Sequence, residues 1–221
     1  MKNLRRDNKW VKSSKGQSLV ELALLLSLLL TLLTGMVEFG YLLNQYITVV
    51  DAAREGARFG SNDDPFIKTT NPWGINIPFF TNIDEIVEGP LTGGVRDPNG
   101  KGALTPIRLR PEAPFNDDVV ISFFSISDGY MTRFPDADGW SYYQSKGFTG
   151  RSSSFTTADL QGRIDQGALS APDTGMVVVE VFYSYSQILK FWGFIGIPDP
   201  IAVHAYAIMP LSAAEPTPTG P

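Results

Sequence analysis

The chain contains no cysteine. Disulfides, thiolate nucleophiles and sulfur-ligated metals are therefore excluded, a composition that suits an export compartment. It contains one histidine, His204, so multi-histidine zinc sites are excluded as well. His204 alternates with apolar neighbours and reads as a structural or surface residue of a strand. A clustered acid, base and nucleophile is also missing. Ser152-Ser153-Ser154 lacks any base or oxyanion context and reads as loop. No enzymatic activity, cofactor, metal or small-molecule substrate is expected. No internal repeat is visible.

Positive charge is scarce beyond the start of the chain. Of the 221 residues, with a net charge of −5, the first sixteen carry +5 and the remainder −10. The basic head comes from Lys2, Arg5, Arg6, Lys9, Lys12 and Lys15 against Asp7. The acidic remainder offers no surface for nucleic acid. A basic segment before an apolar helix keeps the N-terminus cytoplasmic. The rest of the chain is then expected on the far side of the membrane.

What is abundant is leucine in one place. Leu22–Val37 is free of charge, and apolar character resumes after Glu38 through Leu43, together enough to span a bilayer. The pattern predicts one helix over 17–61, about 65 Å long and roughly twice the hydrocarbon thickness. Its second half must therefore stand in water or against protein. Gly35 and Gly40 are the candidate bending points. Ser27, Thr31, Thr34, Glu38, Tyr41, Gln45 and Thr48 alternate at spacings of four and three and share one face. This stripe suits contact with neighbouring helices; alternatively its hydroxyls satisfy their own backbone. Further on, Ala52, Gly56 and Gly60 are four apart, as are Ala53 and Ala57. That ladder of small residues fits either docking onto the chain's own sheet or packing between subunits. Asp51 with Arg54, and Glu55 with Arg58, are spaced for ion pairs on the helix surface.

Ser61-Asn62-Asp63-Asp64-Pro65 ends the helix. Residues 65–102 read as irregular, with turn signals at Asn71-Pro72-Trp73-Gly74, Gly89-Pro90, Gly93-Gly94 and Asp97-Pro98-Asn99-Gly100. A short helix at Asn82–Val87 is an option. Strands are expected at Ala103–Arg110, as an edge, and at Val119–Ser127, Met176–Ser186 and Ala202–Met209. Val177, Val179, Val181 and Tyr183 lie on one face of the third. Between them, Asp128–Pro172 reads as a long turn-rich excursion holding Trp140, Tyr142 and Tyr143. Within it, Thr156 or Thr157 caps a short helix to about Gln166. Gln187–Ile197 is an apolar hairpin tip or loop. Tyr183, Tyr185, Phe191, Trp192 and Phe194 either form a sticky surface or divide between core and tip. Asp136-Ala137-Asp138-Gly139 echoes a calcium loop but lacks the distant glutamate, and an acidic turn explains it. The Ala/Glu/Pro/Thr/Gly tail from 213 reads as disordered.

One short stretch carries most of the functional signal. In Lys15-Gly16-Gln17-Ser18-Leu19-Val20-Glu21 a carboxylate stands at the mouth of the apolar helix, where a charge is costly without a partner. Cleavage after Gly16 would make Gln17 the new N-terminus and Glu21 the fifth residue. This resembles the processing site of type IV pilins and pseudopilins, which a membrane aspartyl peptidase cuts after the glycine. The liberated amine of one subunit and the carboxylate of another are each costly in hydrocarbon and tolerable as a pair. An uncleaved signal anchor with an incidental glutamate is the alternative.

Three blocks in order, Gly16–Leu24, Gly35-Met36-Val37-Glu38-Phe39-Gly40 and Ala52–Phe59, resemble the N-terminal module of the TadE-like family. These are pseudopilin-like proteins of the tight-adherence (Flp) pilus assembly system. The likeness extends weakly to Val177–Tyr185 and Ala202–Met209. It implies processing by a prepilin peptidase, with Gly16, Gln17 and Glu21 at the cleavage and initiation positions. Other pilin or pseudopilin subunits and the pilus assembly machinery are the implied partners.

The expected architecture is α+β. A leader over 1–16 precedes a transmembrane and stalk helix over 17–61, an extracytoplasmic antiparallel head over 62–212 and a tail over 213–221. Helix–helix assembly is expected through Thr31, Thr34, Glu38, Gln45, Ala52, Gly56, Ala57 and Gly60. The expected function is a single-pass assembly subunit of the inner membrane. The rival is an uncleaved, membrane-tethered surface binding protein outside any pilus.

Overall fold

A computed structural model describes residues 14–63, 65, 76–92, 107–127, 130–135, 138–167, 175–190, 193 and 196–211. Most of the leader, the tail, the 71–74 and 93–100 turn signals and the first half of the Asp136–Gly139 turn lie outside the described residues.

Helix α1 (Ser14–Ser61) runs unbroken through Gly35 and Gly40. Its two halves differ in what surrounds them. Leucines from Leu19 to Leu33 are all exposed, whereas Glu38, Val49, Ala52, Ala53, Gly56, Ala57 and Gly60 are buried. Steps of three and four residues carry the buried positions along one face, the period of a helix docked on a single surface.

That surface is an antiparallel sheet. Strands β1 (Asp118–Ser127), β2 (Tyr130–Phe134), β3 (Trp140–Ser141), β4 (Gly175–Tyr185) and β5 (Ile201–Pro210) are ordered β2-β1-β4-β5, with β3 also pairing with β1. The register places Phe123 beside Val177 and Met209, Ile121 beside Val179 and Ala207, and Val119 beside Val181 and Ala205. Strand alternation points these rows to one face, where they share a core with α1. Helix α2 (Ile77–Thr92) completes that core with Phe79, Phe80, Ile83, Val87 and Leu91. The Phe80 ring stacks on Trp140 at 5.0 Å, and Phe123 stacks on Phe134 at 5.2 Å.

The opposite face is covered less completely. Helix α4 (Thr157–Asp165) lays Leu160 over Phe124, Met176 and Val178. Thr156 caps it in a reciprocal capping box with Asp159. Two buried acids hold the connections on and beside this face. Asp118 accepts from the amides of Val119 (2.9 Å), Tyr143 (3.2 Å) and Arg151 (2.7 Å), and from the Ser141 hydroxyl. Glu180 accepts from the Ser154 amide at 2.9 Å and from the Ser153 hydroxyl. His204 Nε2 lies 3.0 Å from Glu180 Oε1, and its ring stacks on Phe182.

Three local expectations change. The 65–102 stretch is not irregular throughout, because α2 extends well beyond Asn82–Val87. Its terminal Gly89-Pro90 sits inside the helix rather than ending it. The expected edge strand is missing over its described part. There the Ile107 amide donates to the Leu91 carbonyl and the Arg110 amide to Asp117, so no ladder forms. The excursion after Asp128 holds β2, β3, α4 and a single-turn helix α3 (Tyr142–Ser145).

Asp84 is a discordant core residue. It is fully buried on α2, and neither carboxylate oxygen has a well-formed hydrogen bond, although the Tyr142 hydroxyl is near enough to ease the charge. Burial above all, then the nearby Glu88, push its pKa up to about 8. The group is therefore neutral at pH 7 in the folded chain and ionised in the unfolded chain.

Two predictions follow from this packing. A Cβ on Gly56 would stand 2.4 Å from Val87 Cγ2, and one on Gly60 2.6 Å from Ile83 Cδ1. Valine is stiff, whereas the isoleucine tip swings. Gly56→Ala should lower stability, because overpacking of about 1–3 kcal/mol exceeds a helix-propensity gain of about 1 kcal/mol. Gly60→Ala should cost less, and Gly40→Ala, with nothing within 4 Å, should be neutral or stabilising; thermal unfolding in detergent ranks the three. The second concerns pH. A folded pKa above the unfolded one gives stability that is complete below about pH 4 and is lost as pH rises through about 8. The slope is about 1.4 kcal/mol per pH unit across that window. Asp117 and Asp118, also raised by burial, act in the same sense. Melting temperature should fall from pH 5 to pH 8, and Asp84→Asn should flatten that fall.

Candidate membrane-anchor and assembly site

The functional candidates all lie on α1, and the structure divides them at Glu38. From Gly16 to Val37 the helix exposes mainly apolar side chains, interrupted by Gln17, Ser18, Glu21, Ser27 and Thr31. These 22 residues rise about 33 Å, close to the hydrocarbon thickness of a bilayer. α1 is long and apolar enough to cross a membrane, and it reads as a single-pass anchor.

Glu38 ends that stretch and is only 1% exposed. Its Oε1 accepts from the Tyr185 hydroxyl and from the Ile188 amide at 2.9 Å, and its Oε2 accepts from the Leu189 amide at 2.7 Å. Two turns further on, Gln45 Oε1 accepts from the Tyr183 hydroxyl at 2.7 Å. Tyr183 and Tyr185 are two apart on β4 and so project from the helix-facing side of the sheet. Burial first, and the Glu38 carboxylate second, raise the Tyr185 hydroxyl well above its ordinary range, so it remains a donor. Hydrogen bonds to a carboxylate are among the stronger kinds, and three converge here, two from backbone amides and one from a hydroxyl. They fix both the rotation of α1 and its height against the sheet.

Within the chain, Glu38 and Gln45 thus bond to the sheet and the turn that follows β4. The reason is chemical: the end of β4 supplies a hydroxyl and two free amides where the helix carries its carboxylate. Gly56 and Gly60 likewise pack within the chain, against α2 and β4, and Ala52 and Ala57 are buried in the same core. The other stripe residues are quieter. Ser27, Thr34 and Thr48 donate to the carbonyls of Ala23, Leu30 and Asn44, and Thr31 is exposed. On the solvent side, Arg54 Nη1 lies 3.5 Å from Asp51 Oδ1, and Arg58 Nε donates to Glu55 Oε2 at 3.0 Å.

At the far end the picture is different. Nothing lies within 4 Å of a Cβ placed on Gly16, and Gln17 Nε2 donates to Glu21 Oε1 at 3.2 Å on the exposed helix surface. Gly16, Gln17 and Glu21 thus lie exposed within about one and a half turns at the start of the span. Tyr183, Tyr185 and the Ile188 and Leu189 amides were not identifiable as the partners of Glu38 and Gln45 from the sequence. The signal available was the pair of tyrosines closing the apolar face of β4. Phe191, Trp192 and Phe194 lie outside the described residues.

Replacing Glu38 by alanine should strand the Tyr185 hydroxyl and two amides, at about 1–3 kcal/mol for each group that water cannot reach. The sheet should stay folded while the helix loosens from its edge. Hydrogen exchange in detergent should then accelerate at Ile188 and Leu189 more than in β1. Equal protection in variant and wild type would show that the bonds do not hold the junction.

No curated protein and no solved structure matches this chain. Residues 16–58 match the family model described as TadE-like protein, a range that covers the apolar span, Glu38 and the small-residue ladder. The segment over residues 16–58 is accordingly similar to the TadE-like family.

Proposed function

We propose that this chain is a pseudopilin-like assembly subunit of a tight-adherence (Flp) pilus biogenesis system, processed after Gly16 by a prepilin peptidase. Its N-terminus faces the cytoplasm and its sheet lies beyond the inner membrane. The observation that carries this reading is the contrast between the two glutamates of α1. Glu38 is saturated by the chain's own donors, whereas Glu21 stands exposed in the apolar half, with Gln17 its hydrogen-bond donor among the described residues. A carboxylate at that depth calls for a positive partner from another molecule. The amine created at Gln17 by cleavage is such a partner, supplied by a second subunit. Thr31 and Thr34, on the same unburied length of helix, are then available for contacts between spans, each worth about 0.6–2 kcal/mol.

The leader supports the same sequence of events. Its positive charge holds the N-terminus at the cytoplasmic face, where the peptidase acts. Cleavage then removes that charge and leaves an amine within reach of a neighbour's Glu21. The role is structural, in assembly, and needs no cofactor.

The test is the mature N-terminus in a host with the cognate peptidase. Wild type should begin at Gln17, and Gly16→Ala should retain Met1. Glu21→Leu should still be inserted and cleaved but should co-purify with fewer pilus components. An intact Met1 in wild type would favour a tethered surface-binding protein instead. Unchanged co-purification of the Glu21 variant would remove the proposed pairing.

A further inference from the structure

The connection between β4 and β5 is placed unusually for a loop. The Ile188 and Leu189 amides are bonded directly to Glu38, at the outer end of the apolar span. Side chains on a helix tilt toward its N-terminus, so the bonded amides sit at the level of the turn before Glu38. That is the level at which α1 would enter hydrocarbon.

The chemistry of the tip fits this height. Ile188 and Leu189 are 52% and 46% exposed although their backbone is held in place, and Phe39 beside Glu38 is 55% exposed. Isolated exposed apolar residues are ordinary, but these three cluster at the end of a membrane span. Over Gln187–Ile197 the sequence contains no carboxylate, and its one charge is Lys190. A lysine there can lie along the interface with its ammonium among phosphates. The apolar side of α1 continues past the tip through Leu43 and Tyr46, which flank Ile201 at the start of β5.

We propose that the tip formed by Ile188 and Leu189 after β4, clamped to the outer end of the span by Glu38, seats in the headgroup layer of the membrane that α1 crosses. The sheet then stands on the bilayer at two points, the helix and the tip. The occupant of this apolar patch is lipid, not a protein partner. The proposal rests on the reading of α1 as a membrane span.

The absence of cysteine makes the test direct. Single substitutions Leu189→Cys, Ala23→Cys and Gln161→Cys in the full chain each accept one environment-sensitive fluorophore. Leu189→Cys leaves the backbone amide bonded to Glu38. Ala23 lies within the span, and Gln161 on α4 lies across the sheet. After reconstitution in phosphatidylcholine–phosphatidylglycerol vesicles, each is quenched with nitroxide-labelled lipid and with aqueous iodide. At Leu189 lipid quenching should be severalfold larger than at Gln161 and iodide quenching severalfold smaller. Lipid quenching at Ala23 with water-like behaviour at Leu189 overturns the seating and leaves the anchor intact. Water-like behaviour at both overturns the seating together with the anchor on which it rests. Shielding of Leu189 from both quenchers assigns the tip to a protein contact and also overturns the proposal.

Discussion

A carboxylate on an apolar helix, answered by donors from a strand end that follows 147 residues later, is the contact on which the arrangement depends. Glu38 cannot remain dry and unpartnered on a membrane helix, and Tyr185, Ile188 and Leu189 cannot leave their donors unmatched against it. Each side meets the other's need, and together they set one height and one rotation for α1. Every later contact of that helix follows. With Glu38 on the sheet side, positions 45, 49, 52, 56 and 60 return to the same side at the helical period. The exposed span below is left with nothing to face but lipid or other subunits.

Close approach then does the remaining work. Gly56 and Gly60 let Val87 and Ile83 reach the helix axis, while Ala205 and Ala207 keep the facing rows of β5 shallow. Aromatic residues fill the wider gap at the β1 side, where Phe79, Phe80 and Phe123 meet Trp140 and Phe134. On the opposite face the sheet substitutes polar order for bulk. Asp118 and Glu180 gather amides from chain segments that have little regular structure of their own. Burial penalises an acid in such a position, and at Asp118 the amides offset part of that penalty.

How much of this was legible depended on whether the signal was local. The long helix was evident from its leucines, and β1, β4 and β5 from their alternation, because each buries a face whose period is written in consecutive residues. The α+β class followed. Helix α2 was under-read because Gly89-Pro90 is a strong turn signal. Burial of Phe79, Phe80, Ile83, Val87 and Leu91 outweighs the broken hydrogen bond near its end. Strands β2 and β3 were hidden among Gly, Asp and Pro residues, since each is short and defined by its pairing with β1. At the site, Glu38 was conspicuous as a lone carboxylate in an apolar run. Its partners were not, because a hydrogen bond across the whole sheet leaves no trace in spacing. The small-residue ladder fitted two surfaces, and only the position of α2 and β4 shows which one it meets within the chain.

The docked length of α1 has a mechanical meaning. From Glu38 to Gly60 the helix is fastened to the sheet along about 33 Å, more than six turns, with a polar clamp at one end and interlocked small residues at the other. A helix held over that distance cannot swivel at its exit. A pull or a twist applied to the sheet therefore travels down α1 as along a lever arm and emerges, with little lost to bending, at the turn that carries Gln17 and Glu21.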